Sequence, residues 1–380
     1  MKKNVDLKLK DVSLQPFSSF VEMKAIRFTY LLLLLASASF SIFAQSAKYS
    51  NDFLNIGVGA KWMAMGSTGV AMGTDVESAY WNPAGLVNIE KSYEAGAMHA
   101  SYFAGMAAYN HLGFAHKLDS TSALAFTAIR FGVDDIPNTT DLIDADGNFN
   151  YDRIKLFSVA DYAFLVSYAK KLPINGLSIG GNAKVIYRNV GKFANAWGFG
   201  VDIAARYTIN SWIFGANFRD VTTTFSLWSF NSEELEITVG DSTFNQAPEN
   251  SLELTLPQLI LGAARRFELS PNMQLATEAN AAIYFDGKRN TPITTSFASI
   301  EPRLGVELGY QNKFYVRAGV NNLQKVKQFD DKTGITLQPN LGLGIKIKNV
   351  AIDYALTNIG SVGVSKYSNV FSLRWQISHI

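Results

Sequence analysis

The residues best suited to chemistry do not form a recognisable active site. Residues 144–152 place oxygen-bearing side chains at alternate positions, as calcium loops do, but the segment lacks a glutamate at the twelfth position and flanking helices, so a plain surface turn is favoured. The four histidines (His99, His111, His116 and His379) are scattered, and none accompanies a serine in a Gly-x-Ser-x-Gly elbow. The chain has no cysteine, which excludes thiolate metal sites and cysteine catalysis. We therefore expect no catalytic residue, no metal site and no cofactor.

Charged side chains instead recur on one face of alternating segments. Within residues 198–207, Phe199, Val201 and Ile203 alternate with residues that include Asp202 and Arg206. A strand places successive side chains on opposite faces, so one face here is apolar and the other is charged. A soluble sandwich buries its apolar face, whereas a transmembrane barrel exposes that face to lipid and turns the charges into its lumen.

In a barrel, the inward charges would be Lys184, Arg188, Asp202, Arg206, Arg219, Glu278, Glu307, Arg317, Lys346, Asp353 and Arg374. Opposite charges in a narrow lumen pair with each other, so the favoured interpretation is a structural network of salt bridges. The alternative is a charged path that conducts a substrate.

The strand pattern repeats to the C-terminus and favours the barrel. We predict about fourteen strands, at 95–103, 107–116, 121–132, 157–170, 176–189, 196–208, 212–220, 258–268, 272–286, 301–310, 313–322, 338–347, 350–359 and 369–378. The connections alternate between short turns and longer loops, of which the longest are 133–156 and 221–257. Outer-membrane barrels have this asymmetry between their two rims. The predicted fold class is all-β, a transmembrane antiparallel β-barrel with an N-terminal hatch inside its lumen.

Composition agrees with a barrel without deciding the matter. Charged residues make up 17% of the chain, below the roughly 25% typical of soluble domains, and aromatic residues make up 13%. The net charge of +2 gives no nucleic-acid signal. The alternative that composition leaves open is a soluble β-sandwich.

The N-terminus has the pattern of a secretory signal. A basic start at 23–27 precedes an apolar run at 30–43, and Ala44 offers a cleavage site. The run of about 14 residues is shorter than the roughly 20 that a spanning helix needs. We therefore predict an N-terminal extension and cleaved signal peptide at 1–44, a plug or hatch at 45–93, and the barrel at 94–380.

The glycine-rich segment 53–86 carries a family resemblance. It contains Gly57, Gly59, Gly66 and Gly69, and it ends in the block Tyr80-Trp81-Asn82-Pro83-Ala84-Gly85-Leu86. The segment resembles the N-terminal hatch of FadL-type outer-membrane barrels, and more specifically that of the PorV/PorQ branch. The resemblance implies that Asn82, Pro83 and Ala84 belong to the hatch.

Two non-enzymatic functions follow from that resemblance. A PorV/PorQ-like barrel in the outer membrane of a Gram-negative bacterium of the Bacteroidetes type would dock the translocon and the cargo C-terminal domains of the type IX secretion system. A FadL-like barrel would instead transport long-chain fatty acids or other hydrophobic small molecules. The expected partners are thus outer-membrane lipid and one of these two classes, without nucleic acid.

The loop 221–257 offers candidate residues for either function. Its apolar residues Phe225, Leu227, Trp228 and Phe230 are of the type that anchors protein interfaces, and a transporter would use them as a landing site for ligand. The alternative is that they pack across the mouth of the barrel.

Overall fold

The computed structural model describes residues 50–378, except 141, 143–146, 236, 240–241, 245–250, 328–332 and 360–366. The predicted signal peptide at 1–44 and His379 lie outside the described residues, as does part of the loop 144–152.

Of the nineteen strands in the described residues, seventeen form one antiparallel sheet and two, β9 and β10, pair only with each other. The large sheet closes because the first strand pairs with both the second and the last. Two pairs of strands, β7 with β8 and β11 with β12, are each the two parts of one wall strand, and β14 is a two-residue piece beside β15, so the wall has fourteen strands. The predicted fold class is confirmed. The strands are β1 (Tyr93–Tyr102), β2 (Ala107–Lys117), β3 (Ser122–Asn138), β4 (Lys155–Lys171), β5 (Leu177–Val190), β6 (Ala194–Ile209), β7 (Trp212–Arg219), β8 (Thr224–Phe230), β9 (Ile237–Val239), β10 (Ser242–Phe244), β11 (Leu252–Thr255), β12 (Gln258–Ser270), β13 (Met273–Tyr284), β14 (Ile293–Thr294), β15 (Ser299–Tyr310), β16 (Phe314–Lys327), β17 (Thr333–Ile347), β18 (Val350–Thr357) and β19 (Ser368–Ile377).

The helical pieces in the described residues are short. They are Asp52–Asn55, Ala60–Ala64, Ser78–Trp81, Pro83–Asn88, Phe103–Gly105, Tyr151–Arg153 and Ser232–Leu235. No helix among the described residues has the length and apolar character needed to cross a membrane.

Alternation in the sequence becomes an apolar outer face and a polar or small inner face. In β17, Leu341 and Leu343 are exposed on the outside, whereas Gly342 lies on the inside against the segment that fills the lumen. Aromatic side chains such as Trp212 and Trp375 are exposed near the short turns. Amphipathic rings at this level suit the boundary between lipid and water.

The short turns lie on one rim, as predicted. β6 and β7 are joined by Asn210 and Ser211, and Asn210 has a positive φ of 52° that asparagine tolerates well. The other rim carries the longer connections, including 231–251 and 285–298.

Several predicted loops are shorter than expected, because strands extend beyond the predicted bounds. The prediction that 221–257 is entirely a loop was wrong: β8 and β11 continue the wall on either side of it. The strand β8 was missed because Trp228 and Phe230 put aromatic side chains on the inner face too, which hides the alternation. Likewise β3 runs to Asn138 and β4 begins at Lys155, so the loop 133–156 is shorter at both ends.

A charge on the outer face is expected to destabilise the barrel according to its depth. Leu343→Lys, in the middle of the wall, should cost about 2–4 kcal/mol of unfolding free energy, whereas Ile347→Lys, beside the short turn, should cost about 0–1 kcal/mol. The two side chains are 60% and 59% exposed, so depth is the main difference between them. Urea unfolding in lipid vesicles measures both values, and equal costs would contradict the assignment of this face to lipid.

Candidate functional site

Residues 50–89, called here the luminal segment, lie against the inner face of the barrel wall. Short helical pieces and turns bring Trp62, Trp81 and Leu86 into fully buried positions, where they pack with wall residues such as Ala163 and Ile186 or with neighbouring alanines. The candidate site is the lumen together with this segment. Its geometry decides what can enter or cross the barrel.

Two of the predicted hatch glycines allow close approach. Gly66 has a φ of 69°, and a Cβ there would lie 2.6 Å from the carbonyl oxygen of Leu304 on the wall. Gly59 has a φ of 82°, and a Cβ there would overlap the carboxylate of Glu77. Both positions therefore favour glycine sterically as well as conformationally. Gly57 and Gly69 also have positive φ and lie against the rings of Trp81 and Trp62.

The Asn82-Pro83-Ala84 motif fastens the luminal segment to itself and to the wall. The Asn82 Oδ1 accepts a hydrogen bond from the Ala84 backbone N–H at 3.0 Å, and Pro83 begins the turn that follows. The Asn82 Nδ2 donates to the Val70 carbonyl at 2.7 Å and to the Ala205 carbonyl, on β6, at 3.0 Å. The asparagine is fully buried and all three contacts are made by its amide.

Glu278, an inward residue of β13, binds the irregular backbone of the luminal segment. Its carboxylate accepts hydrogen bonds from the backbone N–H groups of Gly69 and Ala71 at 2.9 Å and of Met72 at 3.0 Å. Buried N–H groups outside regular structure need such acceptors, and a charged acceptor makes the stronger bonds.

Other inward side chains bind the carbonyl groups of the luminal segment. Arg206 donates to Ala71 at 2.8 Å, Arg219 to Tyr80 at 2.9 Å, Asn217 to Trp81 at 2.8 Å, Ser178 to Ala84 at 2.9 Å and Asn182 to Ala79 at 3.0 Å. These wall residues, like Glu278, therefore act as partners for backbone rather than as a row of free charges.

The remaining predicted charges form ion pairs. Towards the short-turn rim, Arg317 contacts Glu307 at 2.6 Å and Asp353 at 2.7 Å, and Arg374 contacts Asp353 at 3.0 Å and Asp75 at 2.6 Å. Lys346 contacts Glu90 at 2.8 Å.

A second group lies farther along the wall. Lys184 contacts Asp202 at 2.7 Å and Asp220 at 2.6 Å, and Arg188 contacts Asp161 at 2.9 Å and Glu253 at 3.2 Å.

Sequence reasoning missed several members of these groups. Glu301 and Arg303 pair at 3.1 Å, and their inward position follows from parity in the predicted strand 301–310. No sequence pattern predicts the position of Asp75 or Glu77, because apolar and polar residues do not alternate regularly in the luminal segment. Glu77 is buried, and in the described structure neither of its carboxylate oxygens has a hydrogen-bond partner.

Three cavities lie around the luminal segment. The loop-side cavity, towards the long-loop rim, measures about 380 Å³, and the turn-side cavity, lined by the charges around Arg317 and Arg374, measures about 230 Å³. A third, the wall cavity, of about 40 Å³, lies between Leu54, Leu165 and Pro257. No group of three or more histidine or carboxylate side chains suited to a metal ion occurs among the described residues.

The wall cavity borders an interruption in the sheet. Residues 194–199 of β6 pair with β8 and residues 203–209 pair with β7. The residues 220–223 between β7 and β8 are irregular and keep one backbone bond to β6, from the Val221 N–H to the Val201 carbonyl at 2.9 Å. The neighbouring wall strand breaks at the same level, at Leu256 and Pro257. Asp220, Leu256 and Pro257 all line the cavity, so the cavity borders the irregular backbone of both wall strands.

The predicted partner or ligand loop has a different structure. Phe225 and Leu227 are 43% and 57% exposed on the outer face of β8, where Phe225 packs against Phe199. Trp228 and Phe230 lie on the inner face, and the Trp228 indole N–H donates to Glu253 at 2.6 Å. The four residues thus belong to a wall strand. They form neither an exposed loop nor a lid across the mouth of the barrel.

The fold has known relatives. The monoaromatic hydrocarbon channel CymD matches with a TM-score of 0.53 at 12% identity over 85% of this chain and 98% of that chain. The Pseudomonas putida toluene transporter TodX matches with 0.52 at 12% over 85% and 99%, and the Ralstonia pickettii toluene transporter TbuX with 0.50 at 12% over 84% and 98%. No protein-family model and no curated protein matches the chain.

The chain shares the barrel fold of these three channels. The predicted resemblance to outer-membrane channels is confirmed for the fold. These matches do not show the PorV/PorQ branch. The neighbours are transport channels, and none of these three is an enzyme.

Removing the Glu278 carboxylate is expected to loosen the luminal segment. Glu278→Ala leaves three buried N–H groups without their acceptor, at a cost of order 1–3 kcal/mol for each unsatisfied group. Hydrogen exchange at Ala71 and Met72 should accelerate by about ten-fold or more, while exchange in the wall strands stays unchanged. The control is Glu268→Ala, an exposed carboxylate near the short turn. Equal protection of Ala71 in both variants would contradict the role of Glu278.

Glu77 is expected to make stability depend on pH. Burial raises the pKa of Glu77 to about 8, against a partial lowering by Arg374. Between its usual value of about 4.5 and about 8, the folded protein retains this proton and the unfolded chain releases it, so the contribution of Glu77 to stability falls as pH rises through that window. The thermal midpoint in detergent should fall less with pH for Glu77→Gln than for the wild type. Parallel curves would show that Glu77 titrates normally.

Proposed function

We propose that the protein is an outer-membrane channel for small hydrophobic molecules, with the luminal segment as its hatch. The fold shared with CymD, TodX and TbuX supports a channel, and the hydrocarbons in the names of those proteins suggest the substrate class. The apolar outer face and the asymmetric rims support the outer membrane of a Gram-negative bacterium. The signal-like pattern before residue 45 supports export.

The interrupted wall beside the wall cavity is the observation that carries this proposal. A substrate moving straight through the lumen would meet the buried luminal segment. The wall cavity lies beside that segment, and its lining combines Leu54, Leu165 and Pro257 with paired charges such as those of Lys184. At about 40 Å³ the cavity has room for a few water molecules, so a hydrocarbon requires it to widen. Residues 220–223 join β7 to β8 beside the cavity and would have to move for it to widen. They keep one backbone bond to β6, from the Val221 N–H to the Val201 carbonyl at 2.9 Å, and Asp220 is held by Lys184 at 2.6 Å.

A disulfide across the interruption tests this path. Thr224 and Thr255 are direct partners on β8 and β11, immediately beside the irregular residues, and the chain has no cysteine of its own. Thr224→Cys with Thr255→Cys should reduce cellular uptake of labelled toluene when oxidised, and a reductant should restore it. The matched control is Ala123→Cys with Ala169→Cys, a direct pair in the continuous ladder between β3 and β4. Equal loss in both pairs, or none in either, would contradict a path at the interruption.

Docking of type IX translocon or cargo is the second candidate. It is supported by apolar side chains exposed in connections on the long-loop rim, among them Phe297, which is 70% exposed, with Phe103 and Met106. Such side chains anchor protein interfaces.

Purification of the tagged protein from its native outer membrane in mild detergent separates the two candidates. A secreted protein or a translocon barrel that is recovered stoichiometrically with the wild type, and lost with Phe103→Ser and Phe297→Ser, supports docking. Recovery of a small hydrophobic ligand without a protein partner supports the channel.

A further inference from the structure

The loop-side cavity has a chemistry that the proposed channel function does not require. It is bounded by the luminal segment and by the long-loop ends of β13, β15, β16, β17 and β18. Its volume of about 380 Å³ lies within the range of roughly 300–1,000 Å³ typical of small-molecule sites. A cavity that only admitted hydrocarbons would be expected to have an apolar lining.

Amide side chains dominate this lining. They include Asn290, Asn321, Gln324, Gln338, Asn340 and Asn358, which come from two strands and two loops. Each amide carries both a hydrogen-bond donor and an acceptor but no charge. A ligand that offers both at once, at several positions, matches such a surface best.

The charges in the cavity are already neutralised. Arg303 contacts Glu301 at 3.1 Å, and Arg289 contacts Asp286 at 2.6 Å and Asp52 at 3.6 Å. An ionic ligand would have to compete with these carboxylates or guanidinium groups and would lose its hydration without finding an unpaired counter-charge. A neutral ligand meets no such cost.

Some of these amides are held by hydrogen bonds within the protein, and others are available to bind a ligand. The Asn340 Nδ2 donates to the Asn321 Oδ1 at 2.8 Å, and Asn340 is buried, which holds its position. By contrast, the side-chain amides of Asn290 and Gln338 form no hydrogen bond with any described residue. The rings of Tyr102, Phe131 and Tyr284 also reach the cavity and offer faces for C–H groups.

We propose that the loop-side cavity binds a neutral, hydroxyl-rich molecule, of which a short saccharide is the representative. Every sugar hydroxyl both donates and accepts, as the amides do, and the C–H face of a pyranose ring packs on aromatic rings. The same chemistry is offered by a free oligosaccharide and by the saccharide head of a lipopolysaccharide. This inference does not depend on the hydrocarbon channel, since the six amides that carry it line the loop-side cavity and not the wall cavity, and its readout is separate.

Titration calorimetry of the full chain in detergent tests the proposal, with maltotriose and chitotriose as free probes and lipopolysaccharide micelles as the lipid-linked probe. The wild type should bind at least one of the three. Asn290→Leu combined with Gln338→Leu should weaken that binding by about ten-fold or more, because two available amides are lost. The matched control is Gln274→Leu, which removes an amide from the turn-side cavity and should leave the affinity unchanged.

Each outcome of the titrations either supports or overturns the proposed site. Binding of a free trisaccharide identifies a soluble ligand, and binding of lipopolysaccharide alone identifies a membrane-linked one; either supports the site when the double variant weakens it. Absence of binding by all three probes overturns the proposal. So does binding that the double variant and Gln274→Leu affect equally, which would place the saccharide elsewhere. Toluene uptake by the double variant, measured separately, reports on the channel and not on this site.

Discussion

The structure depends on satisfying the irregular backbone that occupies the inside of the barrel. A β-barrel wall uses its own backbone groups in its ladder, so only side chains remain to pair with a chain inside it. The inner face supplies them at matched positions: Glu278 accepts from three N–H groups, and Arg219 and Asn217 donate to carbonyl groups. The lumen is thus polar largely because the backbone of the luminal segment needs hydrogen-bond partners.

Close contact follows from the same constraint. Wall glycines such as Gly215, Gly305 and Gly319 lie so near to the luminal backbone that a Cβ at any of them would overlap it. Because the segment and the wall share hydrogen bonds and van der Waals contact, withdrawing the segment as a whole would break many interactions at once. A local change at the irregular residues 220–223 of the wall breaks a smaller set, which includes the bond from the Val221 N–H to the Val201 carbonyl and the Lys184–Asp220 ion pair.

The sequence predicts the wall far better than the lumen, for a physical reason. Outer and inner faces differ in solvent, so alternation marks the long strands whose inner face is polar or small, whereas the four-residue β11 is too short to be recognised by it. It fails at β8, where Trp228 is aromatic on the inner face because it stacks under Arg188 and donates to Glu253. It gives nothing for Asp75 and Glu77, which lie in turns whose positions are set by contacts with the wall. The glycines and Asn82 were recognisable only through their resemblance to a known hatch.

The two cavities nearest the long-loop rim are chemically different but adjoin. Tyr284 and Arg289 line both the loop-side cavity and the wall cavity, with the guanidinium carbon 3.9 Å from the centre of the tyrosine ring. Carboxylates at Asp286 and Asp52 hold the arginine in this position. A molecule in the loop-side cavity would therefore lie beside side chains that also line the wall cavity. The cation–π pair of Arg289 and Tyr284 is thus part of the boundary between the two cavities, and the same ion pairs that neutralise the loop-side cavity fix that boundary.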